Sequence, residues 1–216
     1  MPVRLGLLTI LLLAIPSILS TNPAEALLNV DTAEDFMLAS YTESALSSCL
    51  PFELWEQLVV GHLAYGELDA PMAVADLSQP SDMPRFYVVD LVSGQILLQT
   101  WVAHGKNSGD RETVRFSNEL SSLQSSRGFY RIGQRFESPK HGPALLLDGL
   151  QPGLNDMARE REIILHGADY VSEDFIEKHG RCGRSHGCPA LPREQMKEAM
   201  ELLPEGSLLF VYGRNR

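Results

Sequence analysis

The sequence predicts a mainly β domain with a short helical lead-in and a few peripheral helices. Three observations carry this expectation. Apolar runs of strand length, rich in Val, Leu, Ile, Phe and Tyr, recur from Met72 to the C-terminus. Two of them, Arg85–Leu91 and Gln95–Val102, flank Val92-Ser93-Gly94 and read as a strand, a tight turn and a strand. Helical spacing appears in only a few segments, chiefly before residue 66 and after Pro192.

Taken in order, the chain opens with Arg4, an apolar run from Leu5 to Ile15, Pro16, and the small-x-small site Ala24-Glu25-Ala26. This is the pattern of a secretory leader cleaved before Leu27. The run is short for a bilayer span, which needs roughly 20 residues; an uncleaved N-terminal anchor is the competing reading. The expected product is exported, to the periplasm or cell wall, with no membrane association after leader cleavage. The expected divisions are 1–26 signal peptide, 27–70 helical lead-in and 71–216 main domain.

In the lead-in, Asp31 or Thr32 is placed to cap a helix with Glu34 and Asp35 in its first turn. Pro51 suits the start of a second helix with Leu54, Leu58 and Leu63 on one stripe, ending at Gly61 or Gly66. Strands follow at Met72–Leu77 and in the hairpin. Residues 105–128 are rich in Gly, Ser and Asn and read as a long loop, which in a compact domain signals function or a misassigned element. Further strands are expected at Gly128–Gly133, Ala144–Leu147 and Ile163–His166, with a short helix or turn at Asn155–Arg161 between the last two. Met196, Met200 and Leu203 repeat at helical spacing between Pro192 and Pro204, and Leu208–Tyr212 is the last strand.

A hydrophobic content of 44% against 21% charged residues allows a sizeable core and excludes wholesale disorder. The net charge of -10, with no Lys/Arg-rich stretch, argues against nucleic acid as a partner. The three cysteines are Cys49, Cys182 and Cys188. In an oxidising compartment an odd count leaves at least one unpaired within the chain, and Cys49–Cys182 is a candidate disulfide that sequence cannot establish.

Chemistry concentrates in Gly183-Arg184-Ser185-His186-Gly187-Cys188-Pro189-Ala190, with His166-Gly167 upstream. A thiol near an imidazole is the minimum equipment of a cysteine nucleophile. His186 and His166 are the candidate bases, and Arg184 adds positive charge that favours thiolate. Gly187 allows close approach of substrate to the backbone, and its N–H and that of Cys188 are candidate oxyanion donors; Pro189 has none. Two rival readings stay open at this level. His179, Cys182, His186 and Cys188 are spaced H-x2-C-x3-H-x-C, which a zinc ion accepts. A buried free cysteine is also often just a small hydrophobe.

Ser185-His186-Gly187-Cys188 with His166-Gly167 resembles the signature of the murein L,D-transpeptidases. The gap of 21 residues between His166 and Cys188 is slightly longer than usual there. The likeness extends over roughly residues 70–212 to the divergent catalytic-domain branch, through Val102-Ala103-His104-Gly105 with Ser108-Gly109, Phe116-Ser117-Asn118, Ser125-Ser126-Arg127-Gly128-Phe129-Tyr130, Leu147-Asp148-Gly149-Leu150, Asn155-Asp156 with Ala158-Arg159, and His166-Gly167-Ala168 with Tyr170-Val171-Ser172. Pro189-Ala190 departs from the wider family, which has a bulky apolar residue and then Arg or Asn; the branch shares the change. In that branch the position of His186 varies, which favours His166 as base.

The resemblance implies a β-sandwich-like catalytic domain over residues 71–216 with cysteine and histidine in a groove beneath a loop. It implies a cysteine acyltransferase on peptidoglycan stem peptides: thioester at Cys188, release of D-Ala, then 3-3 crosslinking by an amine or L,D-carboxypeptidase action by water. It implies no cofactor and acylation by carbapenems. Cys188, His166 and Gly187 would be catalytic, with Ser185, Arg184, His186, Gly167, His104 and Tyr130 toward substrate. His104 reads equally as a loop-stabilising residue, Tyr130 at strand spacing reads more often as core, Arg127 and Arg159 read more often as ion pairs than as holders of stem carboxylates, and His62 and His141 carry no signal. A zinc-stabilised, non-catalytic wall-binding module is the alternative of a different class.

Overall fold

A computed structural model describes residues 41–42, 44–65, 70–91 and 93–215. The expected leader and the helix expected from Asp31 lie outside the described residues. The chain divides into two compact units, residues 1–68 with 92–95, and residues 69–91 with 96–216.

In the first unit, a short 3-10 turn at Ala45–Ser48 precedes helix α1 (Phe52–Tyr65). The helix begins directly after Pro51, whose fixed φ and missing N–H cost nothing at that position. Leu54, Trp55, Leu58, Gly61 and His62 are its buried face. Tyr41, Phe52 and Trp55 pack ring against ring at centroid separations of 5.4–5.8 Å, and Ala45 N–H donates to Gly94 O at 3.2 Å.

The second unit is built on β1 (Met72–Asp76), β2 (Phe86–Asp90), β3 (Gln95–Thr100), β4 (Gly128–Ser138), β5 (Gly142–Gly149), β6 (Ile164–Gly167), β7 (Ala190–Leu191) and β8 (Leu208–Tyr212). They form one eight-stranded sheet in the order β3-β2-β1-β8-β4-β5-β6-β7. Mainly β is therefore the fold class, and the second unit adds the helices α2 (Glu173–His179) and α3 (Arg193–Leu202) to the sheet. The pairs β1·β8 and β6·β7 are parallel, and β1·β2, β4·β5, β4·β8 and β5·β6 antiparallel. Strands β1 and β8 are buried at every residue, which explains their unbroken apolar sequences.

Helix α3 lays Met196, Ala199 and Met200 into the same cluster as Ala73, Phe86, Leu145 and Leu165. Gly167 lets this helix approach: a Cβ there would stand 3.2 Å from Arg193 Cα. Helix α2, which the sequence reading did not anticipate, is capped by Ser172 Oγ accepting from Phe175 N–H at 3.3 Å and closed by Gly180 at φ 68°. Strand β4 runs five residues beyond the expected Gly133. Its outer half pairs in register with β5 while exposing Gln134, Arg135 and Glu137, so no apolar alternation marks it. Residues 105–127 are not a free loop; Ser108, Thr113, Ser125 and Ser126 are buried, and the segment packs on the cysteine run.

Candidate active site

The cysteine run is held by backbone before any side-chain chemistry begins. Ser185 N–H donates to His104 O at 2.9 Å, and Lys106 N–H donates to Ser185 O at 2.8 Å. Ser185 Oγ donates to Cys188 O at 2.6 Å and accepts Gly187 N–H at 3.0 Å, closing the run on itself. Ser125 Oγ donates to Gly187 O at 3.2 Å and accepts Gly105 N–H at 3.0 Å. Gly187 takes φ 128°, and a Cβ there would stand 2.8 Å from Gln124 O. Only glycine fits this position without strain.

Cys188 is half-buried at the wall of an open pocket of about 500 Å³, which Lys140, His141, Arg161, Glu162 and His186 also line. Its thiol donates to Glu162 O at 3.6 Å. That carbonyl is aimed by a left-handed turn. Glu162 has φ 55°, its N–H reaches Arg159 O at 3.0 Å, and Ile163 N–H reaches Ala158 O at 2.9 Å. This is the hydrogen-bond pair of a helix-terminating Schellman turn, with Glu162 where glycine is usual. Burial pushes the Cys188 thiol up, against the backbone N–H groups of Ile164 and Cys188 and the Arg161 guanidinium, which pull it down. The first amide of β6 thus faces the sulfur.

His166 lies on β6 opposite Ala190 of β7, two residues along from Cys188, and its N–H reaches Pro189 O at 3.4 Å. The ring is buried, with Nδ1 3.0 Å from Gly167 O. A carbonyl only accepts, so Nδ1 carries the proton and Nε2 the lone pair. Burial drives His166 down to about 4, so the ring is neutral at pH 7. His141, from the β4–β5 turn, stacks on it with ring centroids 3.8 Å apart. His186 is exposed on the pocket wall.

Several expected site residues serve elsewhere. His104 is fully buried, with Nδ1 accepting from Arg85 Nη2 at 2.8 Å, and burial drives it down to about 3. It faces no substrate; its carbonyl supports Ser185. Tyr130 is buried, donates to Ser126 O at 3.0 Å and is pushed up to about 12, so it too is a prop rather than a contact. Ser185, 5% exposed, is the internal staple of the run. Arg184 is bound to Gly109 O and Asp110, each at 3.1 Å. The Gly187 N–H is committed to Ser185, which removes it as an oxyanion donor and leaves that expectation to the Cys188 N–H.

The zinc constellation is not assembled. His179 stacks on Phe175 at 4.2 Å, and Cys182 is buried with its thiol 2.9 Å from Ser81 O. Among the described residues no group of three or more His, Cys, Asp or Glu is placed to hold a metal. All three cysteines are free thiols, Cys49 in the first unit and Cys182 and Cys188 in the second. The sequence reading missed His141, Arg161, Glu162 and the Ile164 amide. Only the Arg159-Glu160-Arg161-Glu162 run before the β6 histidine offered a signal, as a cluster of charge at the foot of an apolar strand.

The fold thus brings one accessible thiol, on a loop closed by Ser185, to the wall of an open pocket, with His166 on the neighbouring strand opposite Ala190. Residues 57–212 match the L,D-transpeptidase catalytic domain family, and the chain belongs to that family. Among solved structures, the L,D-transpeptidase from Mycobacterium smegmatis is 15% identical over 66% of this chain and 58% of its own, at a TM-score of 0.42. One from Mycobacterium tuberculosis H37Rv is 18% identical over 67% and 58%, at 0.39. The LD transpeptidase LdtMt1 in complex with imipenem is 16% identical over 67% and 59%, at 0.41. The chain thus spans under two thirds of those three chains. No curated protein sequence matches this chain significantly.

Proposed function

We propose that the protein is a cysteine acyltransferase acting on peptidoglycan stem peptides as an L,D-transpeptidase. The observation that supports it most is the single accessible thiol of the main domain, Cys188, on a loop closed by Ser185 at an open pocket, with His166 on the paired strand opposite Ala190. The Cys188 sulfur attacks the carbonyl joining the third, diamino acid residue to the fourth, D-Ala residue. A sulfur–carbon bond forms, the carbon–nitrogen bond breaks, and D-Ala leaves. His166 Nε2 takes the thiol proton and returns it to the departing amine. The Cys188 N–H is the backbone donor for the oxyanion.

The thioester then passes to an amine of a second stem, giving a 3-3 crosslink, or to water, giving the tripeptide. Carbapenems acylate the same sulfur. The protein acts after export, in the periplasm or cell wall. Incubation of wild type, Cys188→Ala and His166→Ala with tetrapeptide muropeptides, read by mass spectrometry, tests the reading. Wild type is expected to release D-Ala and make 3-3 dimer or tripeptide, and Cys188→Ala to make neither. Equal product from Cys188→Ala would reject it.

A further inference from the structure

Arg161 precedes the left-handed turn at Glu162, and its guanidinium lies against the cysteine run. Its Nη2 is 3.2 Å from where a Cβ on Gly187 would stand. Nη1 donates to Ser117 O at 2.7 Å and to Ser126 Oγ; Nη2 donates to Ser122 Oγ at 3.3 Å and to Gln124 O. All four acceptors are neutral. Among the described residues no carboxylate pairs with Arg161, whereas Arg159, Arg181, Arg184 and Arg193 each pair with an aspartate. A half-buried cation without a counter-ion is costly, and it stabilises any negative charge that appears beside it.

The neighbouring group that gains such a charge is Cys188, on the wall of the same pocket. We propose that Arg161 is the electrostatic partner of Cys188: its uncompensated guanidinium supplies the fixed positive charge that stabilises the thiolate formed when the cysteine loses its proton. It acts on the nucleophile through its charge. His166 does not fill this role, because burial keeps its ring neutral. The mutual influence agrees: Arg161 pulls the Cys188 thiol down, and Cys188 pulls Arg161 up against its desolvation.

The other groups facing the thiol do not substitute. Lys140 is exposed, Arg159 is paired with Asp148, and Glu162 opposes. His141 is pushed down by burial, and His186 is exposed to solvent. The phenols of Tyr130 and Tyr170 are pushed up by burial and stay neutral. Glu162 and Arg161 therefore act in opposition on one sulfur, one from an exposed side chain and one from a half-buried side chain.

The inference needs only a reactive Cys188, so its test is independent of the peptidoglycan reading. The rate of Cys188 alkylation by iodoacetamide is measured against pH in wild type, Arg161→Gln and Arg161→Lys, with Cys188→Ala as background. The expected result for Arg161→Gln is an alkylation midpoint about one pH unit higher, roughly tenfold slower labelling at neutral pH. Arg161→Lys keeps the charge and stays within about twofold of wild type.

A purely structural role predicts the opposite sign. Releasing the 117–126 segment would hydrate the thiol and lower its midpoint, so an unchanged or lowered midpoint in Arg161→Gln overturns the proposal. If Arg161→Gln does not fold, Arg161→Lys decides. A near-wild-type midpoint despite fewer hydrogen bonds supports the charge; a midpoint moved by a full pH unit in either direction overturns it.

Discussion

Cys182 and Cys188 stand six residues apart in one domain, each with an arginine that pulls its thiol down, and only Cys188 opens to a pocket. Cys182 is fully buried, its thiol is held by Ser81 O, and burial pushes it up to about 11 despite the pull of Arg85. Arg85 itself is spent on Val102 O, Gln79 O and His104 Nδ1, and burial lowers it to about 10. Cys188 sits at an open pocket, the backbone N–H groups of Ile164 and Cys188 and the Arg161 guanidinium pull its thiol down against burial, and among the described residues no carboxylate pairs with that arginine. Residue types alone do not distinguish the two clusters. Access and uncommitted charge do.

The largest separation is expected from the two cysteine substitutions. Cys188→Ala removes the proposed nucleophile and is expected to lower acyl transfer on the order of 10³-fold or more with an unchanged melting curve. Cys182→Ala leaves turnover intact and costs about 1 kcal/mol by denaturant unfolding, through a small cavity. A Cys182 variant as inactive as the Cys188 variant would erase the contrast.

Breaking the buried cluster at Arg85 is the next largest effect and falls on stability. Arg85→Met strands the carbonyls of Val102 and Gln79 and is expected to cost about 3 kcal/mol, read as a lower urea midpoint. Because His104 O holds Ser185, some loss of activity in the folded protein accompanies it. Gly187→Ala sharpens the other side. Its φ and the 2.8 Å approach to Gln124 O force the loop to move. Acylation is expected to fall about 100-fold, from displacement of the sulfur by about an ångström, with a stability cost of about 1–3 kcal/mol.

A further expected effect is the pH dependence of stability. Both buried imidazoles are neutral in the fold, His166 down at about 4 and His104 at about 3. An unfolded histidine titrates near about 6.5, so between these values the unfolded chain binds more protons. Stability therefore rises with pH through this window and is lost as pH falls from about 6.5 toward 4 and then 3. His166→Gln is expected to flatten the upper part of the slope measured by thermal unfolding between pH 3 and pH 7. A slope unchanged by this substitution would show that His166 titrates freely in the folded protein.

The β class, the hairpin, α3 and β8 were legible because their apolar residues follow the periods that burial imposes. The cysteine run and His166-Gly167 were legible as chemistry that few structural needs explain. Three elements were hidden for physical reasons. The outer half of β4 is exposed on a hairpin and carries charge; β7 is two residues long; α2 buries no side chain and shows only its caps, Ser172 and Gly180. His104 and Tyr130 misled because a polar residue beside a site looks alike whether it faces substrate or supports a loop. Arg161 was invisible because its importance lies in lacking a carboxylate, which no linear pattern records.

The central claim is that Cys188 alone among the three cysteines carries the acyl group. The most direct measurement is peptide mapping by mass spectrometry of protein quenched in acid during turnover of a tetrapeptide muropeptide. The expected result is a tripeptide-sized thioester adduct, released by hydroxylamine, on the peptide containing Cys188, with Cys49 and Cys182 unmodified. An adduct on Cys182 or Cys49, or product formed with no thiol adduct and no loss in Cys188→Ala, would contradict it.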